Sequence, residues 1–87
     1  MTYYLATFRS QTQTYEFSHI LSSYGIAAAV IQTPRQAQAS CGLSVKIPDR
    51  FGLDYARLII SRRQFSSFSS FFEVIDFGNG NKQITRI

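Results

Sequence analysis

Cys41 is the one thiol in a chain of 87 residues, and it stands in the run Ser40-Cys41-Gly42, shortly after Gln32-Thr33-Pro34-Arg35. A cysteine attacks and ligates as its thiolate, and a nearby cation favours that form. Arg35 supplies the cation here, and the small neighbours place the sulfur in a loop rather than inside an apolar run. Ser40 is placed to hydrogen-bond the sulfur. Gly42 lets another backbone approach closely and leaves its own N–H unobstructed. Pro34 stiffens the loop. Each residue also has a plainer role. A lone cysteine commonly packs as a small hydrophobe. Arg35 can be a surface or carbonyl-capping arginine, and Ser40 and Gly42 can serve only to turn the chain into the next strand.

Other chemistries find less support. His19 falls on a helical run one residue before Ile20, where a helix-surface role is the simpler reading. One His and one Cys make no local zinc motif. A Cys-His nucleophilic pair would need His19 to reach Cys41 from that helix, and nothing marks it. The five acidic residues are scattered, so no carboxylate pair stands out. Gly78-Asn79-Gly80 lacks the strand before and helix after that a phosphate loop needs. No metal or organic cofactor is expected, and a carrier or binding protein fits better than a self-contained enzyme.

The length allows one domain, expected to span residues 1–77, with residues 78–87 as a C-terminal hairpin strand or tail. With 45% hydrophobic and 16% charged residues the composition is that of a globular domain with one modest core. Eight phenylalanines and five tyrosines supply much of it. An internal disulfide is impossible, and one cysteine without a recognisable signal segment points to a reducing cytoplasm. Tyr3 to Phe8 is apolar but far too short to span a bilayer, so no membrane association is expected. The net charge of +4 permits an acidic partner, but the basic residues are spread and only Arg62-Arg63 is a doublet. A solvated basic surface is the simpler reading.

Strand and helix signals alternate along the chain. Tyr3 to Phe8 reads as a first strand. Ser10 and Gln13 have capping-box spacing, and Phe17, Ile20, Leu21 and Tyr24 make one apolar stripe on the first helix. Gly25 suits its end, with Ile26 as the hydrophobic contact of the cap. Ala27 to Gln32 reads as a second strand, Arg35 to Ala39 as room for one helical turn, and Leu43 to Ile47 as a third strand with one wet face. Pro48 and Asp49 start a second helix with Phe51, Tyr55, Leu58, Ile59 and Arg62 on one side. Gln64 to Ser70 reads as a connection that tucks Phe65 and Phe68 into the core. Phe71 to Phe77 is a fourth strand, Gly78 to Asn81 a turn, and Lys82 to Ile87 a fifth strand or frayed tail. The order β-α-β-β-α-β is that of the ferredoxin-like split βαβ fold, an α+β class with an antiparallel sheet and both helices on one face. The other face is then open, and Phe17, Ile20, Leu21, Leu58 and Ile59 are expected to be buried against the sheet.

The pieces Thr33-Pro34-Arg35 and Ser40-Cys41-Gly42, preceded by Tyr24-Gly25-Ile26, resemble the putative selenium/sulfur carrier protein-like family of small bacterial domains. The resemblance runs over about residues 3 to 76 and weakens after the second helix. It implies that Cys41 carries sulfur or selenium between a donor and an acceptor protein, as Cys-S-SH or Cys-S-SeH. Such a carrier needs one accessible thiolate, which Arg35 would favour, and charge from Arg35 would also balance the loaded form. A second cysteine is not required, and without one the loaded form cannot collapse into an intramolecular disulfide.

The competing readings are RNA binding and a regulatory module taking a small ligand at a dimer interface, the latter only by analogy of fold. Split βαβ domains can stack bases on sheet aromatics, and Tyr3, Tyr4 and Phe8 lie on the first strand. The third strand, Leu43-Ser44-Val45-Lys46-Ile47, lacks the aromatic pattern of such domains, which ranks nucleic acid below a protein partner. Thirteen aromatics are many for so small a core, so a weak homodimer through the open face or an edge strand is expected.

Overall fold

Seven elements run β1 (Thr2–Phe8), α1 (Gln11–Ser23), β2 (Ala29–Gln32), β3 (Leu43–Ile47), α2 (Arg50–Arg62), β4 (Phe68–Asp76) and β5 (Lys82–Arg86) in the computed structural model, which describes residues 1–37 and 40–87. The strands form one sheet in the order β2-β3-β1-β4-β5, each neighbouring pair antiparallel. This is the ferredoxin-like split βαβ arrangement, with β5 added at the edge by a hairpin from β4. Two strands differ by two residues or more from the sequence reading. β2 starts at Ala29 rather than Ala27, and β4 takes in Phe68 to Ser70. The serine-rich run is strand because Phe68 pairs with Phe8 and Ser70 with Thr7.

The helix ends follow local chemistry. Ser10 Oγ accepts the Gln13 N–H at 3.2 Å and caps α1. The other half of the capping box does not form. Gln13 instead reaches across to the α2–β4 connection, where its Oε1 accepts the Ser67 N–H at 3.0 Å and hydroxyl at 2.7 Å. Its Nε2 donates to Ser66 Oγ at 3.1 Å. At the far end Gly25 takes φ +83, and the N–H groups of Ile26 and Gly25 close on Leu21 O and Ser22 O, the Schellman pattern. Asp49 caps α2 by accepting the Gly52 N–H at 2.8 Å.

Because Ser67 is buried, the Gln13 clamp should be felt in stability. Gln13→Ala leaves the Ser67 N–H without its partner, and an unsatisfied buried donor costs about 1–3 kcal/mol. Urea unfolding measures it, and a loss of only a few tenths would mean that solvent replaces the clamp.

Both helices cover one face of the sheet. Tyr4, Ala6, Phe8, Val45, Ile47 and Phe71 point at them from the strands. Phe17 and Leu21 of α1 and Leu53, Ala56 and Ile59 of α2 answer from above. Phe65 and Phe68 pack at the margin, as expected. Of the five helix residues expected to be buried, Phe17, Leu21 and Ile59 are, Ile20 is half-buried, and Leu58 is 41% exposed.

The reason lies in α2, which carries two apolar stripes. Phe51, Tyr55 and Leu58 form one, and Leu53, Ala56 and Ile59 the other. The sheet takes the second because its side of the helix also holds Gly52. A Cβ there would lie 2.8 Å from Ile47 Cγ2 and 3.1 Å from Ile26 Cγ2. Only the stripe next to the missing side chain can come this close. Gly52→Ala therefore sets a helix-propensity gain of about 1 kcal/mol against an overpacking cost of about 1–3 kcal/mol. A net loss of about 1 kcal/mol is expected in thermal or chemical denaturation. A more stable variant would show that α2 can lift off the sheet.

The second face is not left open. Tyr3, Leu5 and Val74 are buried there together with Ala37 of the β2–β3 loop, with Ile31, Phe72 and Ile84 half-buried around them. Lys46 Nζ sits 4.5 Å from the centre of the Tyr3 ring and covers it further. The loop that carries the cysteine thus folds back over the sheet.

Candidate functional site

The β1–β3 ladder ends at the pair Thr7–Ser44, and β1 shifts register against β4 just after Thr7. The Phe8 carbonyl lies beyond that ladder, and Cys41 takes it. The thiol donates to Phe8 O at 3.1 Å and also lies 3.4 Å from Leu43 O. Thr14 Oγ1 is 3.7 Å from the sulfur, while its own hydroxyl donates to Ser10 O at 2.8 Å. The Cys41 carbonyl accepts from Gln11 Nε2 at 3.0 Å. Cys41 is half-buried, so it is neither a sealed core thiol nor a fully exposed one. It rests at the mouth between the first turn of α1 and the start of β3.

The loop is held at its base. Thr33 N–H donates to Gly42 O at 3.0 Å, and the Thr33 and Ser44 hydroxyls meet at 2.6 Å. Pro34 is half-buried, and its carbonyl accepts the Ala37 N–H at 2.9 Å, which makes a turn with Arg35 exposed at its tip. The helical turn expected over Arg35 to Ala39 falls partly on Gln38 and Ala39, which lie outside the described residues. Gly42 adopts φ +81, a left-handed conformation that residues with a Cβ rarely adopt.

Of the residues singled out in the sequence, Cys41 and Gly42 are adjacent at the loop's end, and Pro34 turns its start. Ser40, expected to bond the sulfur, is exposed, and the sulfur bonds the carbonyls of Phe8 and Leu43 instead. Arg35 points outward on the turn, and the polar partners found for the sulfur are all uncharged. His19 is exposed on α1. The sequence reading missed Thr14 and Gln11. Thr14 carried a signal, because it falls on the stripe of Phe17 and Leu21 and is a polar residue on a buried face.

Tyr3 and Tyr4 are only 4% and 7% exposed and Phe8 is fully buried, so these aromatics offer no platform for a base. No described helix is long and apolar enough to cross a membrane. Among the described residues, no three His, Cys, Asp or Glu side chains gather as a metal would need.

A family model described as putative Se/S carrier protein-like matches residues 3–62. The match begins in β1, takes in Cys41 and its whole loop, and ends with the last residue of α2. It stops short of β4, earlier than the resemblance read from the motifs. No curated protein and no solved structure matches the chain. The matched segment holds both helices, three strands and the only thiol, and the chain belongs to the putative Se/S carrier protein-like family.

Proposed function

We propose that this protein carries a single sulfur or selenium atom on Cys41 from a donor protein to an acceptor protein, without metal or organic cofactor. The observation behind this reading is the position of Cys41, half-buried at the end of the β2–β3 loop inside the matched segment. In loading, the Cys41 thiolate attacks the outer chalcogen of a donor R–S–SH or R–S–SeH. The Cys41–S or Cys41–Se bond forms, the donor's bond breaks, and R–S⁻ leaves and takes up the proton. The exchange is redox-neutral. Delivery is the same step with an acceptor thiolate as the attacker and Cys41 as the leaving group.

The surroundings fit a resting and a loaded position. At rest the sulfur lies against two carbonyl oxygens, its S–H donated to Phe8 O with Leu43 O close by. A persulfide in the same place would present an anionic sulfur to those oxygens, so loading turns the side chain outward. Gly42 beside it has open space around it, so the neighbouring backbone does not crowd that turn. The first turn of α1 holds no acidic residue, and its N–H groups give a positive end that favours an anion nearby. Arg35 and Ser40, both exposed on the loop, are the groups a partner would meet, with Pro34 opening the turn that presents Arg35.

The test is intact mass after incubation with a protein persulfide, or with selenite and excess thiol. A stable gain of one sulfur or selenium atom is expected, and prior alkylation of Cys41 should prevent it. If no atom is gained from any donor, or if the gain survives alkylation, the carrier reading fails and binding of a small ligand becomes the better account.

A further inference from the structure

The apolar stripe of α2 that the sheet does not use remains on the surface. Phe51 is 69% exposed, Leu58 41%, and Tyr24 at the end of α1 51%. The rings are organised rather than scattered. Tyr24 and Tyr55 lie 5.0 Å apart between centroids, and Phe51 and Tyr55 6.2 Å. From Phe51 to Arg62 the stripe follows α2 for about 17 Å, or three helical turns. A hollow of about 240 Å³ runs beside it, lined by Tyr24, Tyr55, Leu58, Ile59, Arg62 and Arg63. A second hollow, about 460 Å³, adjoins the same two arginines on the side of Phe65 and Ser66.

Charge selects the occupant. Residues 50–63 hold four arginines and one aspartate, and that aspartate, Asp54, is already paired with Arg50 at 3.5 Å. Arg62 and Arg63 form no ion pair among the described residues. A second copy of the chain would bring the same excess of positive charge to the contact. An anionic lipid surface would meet Asp54 on the flank that carries Arg50 and Arg57, whereas Arg62 and Arg63 stand together, with no ion pair among the described residues, at one end of the stripe and so give it a direction. From this we infer that the Phe51–Tyr55–Leu58 stripe docks an amphipathic helix of a partner protein, with its acidic end on Arg62 and Arg63.

The direction matters for the thiol. Ser66 and Ser67, just after Arg63, are bonded to Arg9 and Gln13. Cys41 is bonded to Phe8, Gln11 and sits by Thr14 on that same junction. The arginine end of the stripe and the thiol therefore share one end of the molecule. A helix docked this way brings its acidic end toward Cys41, and only this last step rests on the carrier reading.

The experiment uses isotope-labelled full-length protein and synthetic three-turn amphipathic helices with one apolar face and either Glu, Gln or Lys clustered at one end. The Glu peptide should shift the amides of Tyr24, Phe51, Tyr55, Leu58, Arg62 and Arg63, with affinity falling from Glu to Gln to Lys. Phe51→Ser, and Arg62→Ala with Arg63→Ala, should each weaken the Glu peptide by roughly tenfold or more, while Arg57→Ala should not. Cys41→Ser should bind as the wild type does, which separates docking from sulfur transfer. Equal binding of the three peptides, shifts elsewhere, or no binding overturns the proposal. So do shifts of the same amides on raising protein concentration alone, which would assign the stripe to a second copy. Binding of anionic vesicles through the stripe in place of the peptide would assign it to a membrane.

Discussion

Replacing Phe8 by alanine is expected to remove about 3–5 kcal/mol of stability, the largest loss from any single side chain considered. Its ring is fully buried and meets Phe17 at 5.2 Å, Phe68 at 5.6 Å and Phe65 at 5.8 Å between centroids. Those three partners come from α1, from β4 and from the connection before β4, so the ring joins both ends of the chain. A domain of this size has a total of about 5–15 kcal/mol, and the alanine variant would stand near the limit of folding. Phe8→Leu, with a smaller volume change, should lose about 1–2 kcal/mol and remain measurable. Chemical denaturation followed by far-UV circular dichroism reads both. A loss below about 1 kcal/mol for the alanine variant would mean that the aromatic cluster does not hold the sheet and helices together.

The second large effect concerns chemistry rather than stability. Cys41→Ser should abolish chalcogen loading completely, because an alcohol does not form the persulfide. The fold should barely respond. The serine hydroxyl can donate to the Phe8 carbonyl as the thiol does, and the site is only half-buried. Stability should stay within about 1 kcal/mol of wild type. Cys41→Val is the informative contrast, because it fills the space and removes the donor, and should cost more than the serine variant. If Cys41→Ser loses several kcal/mol, the cysteine is a packing residue and the carrier reading loses its main support.

Much of the scaffold was legible in the sequence because local rules decide it. The Ser10 and Asp49 caps, the Gly25 ending and the order of strands and helices each depend on residues within a few positions of one another. The orientation of α2 was not legible, since Phe51–Tyr55–Leu58 and Leu53–Ala56–Ile59 have equally good helical spacing. What separates them is the fit of Gly52 against Ile47 and Ile26, a tertiary contact. The site divides the same way. That Cys41 lies where the loop meets β3 follows from its neighbours in sequence. That its sulfur faces Phe8 and Thr14, rather than Ser40 or Arg35, follows from where β1 ends and α1 begins, about thirty residues earlier. Gln13 had the spacing of a capping box, but the Ser67 N–H offered it a partner 54 positions away.

That long reach has a consequence during synthesis. The junction that shelters the thiol is steadied from the far end of the chain, through Gln13 on Ser66 and Ser67, the Arg9 N–H on Ser67 O, and Phe8 against Phe68. Such distant pairings form late, because a long loop must close before they contribute. A ribosome-bound chain that has just released Cys41 lacks all of them, and the central strand β1 still lacks its neighbour β4. At roughly 5–20 residues per second, the stretch from Cys41 to Phe68 takes about 1–5 seconds to follow, and for that time the nucleophile lacks its distant support. The shelter of Cys41 is thus a property of the finished chain, and the vulnerable period for stray oxidants or electrophiles is the time before β4 leaves the tunnel.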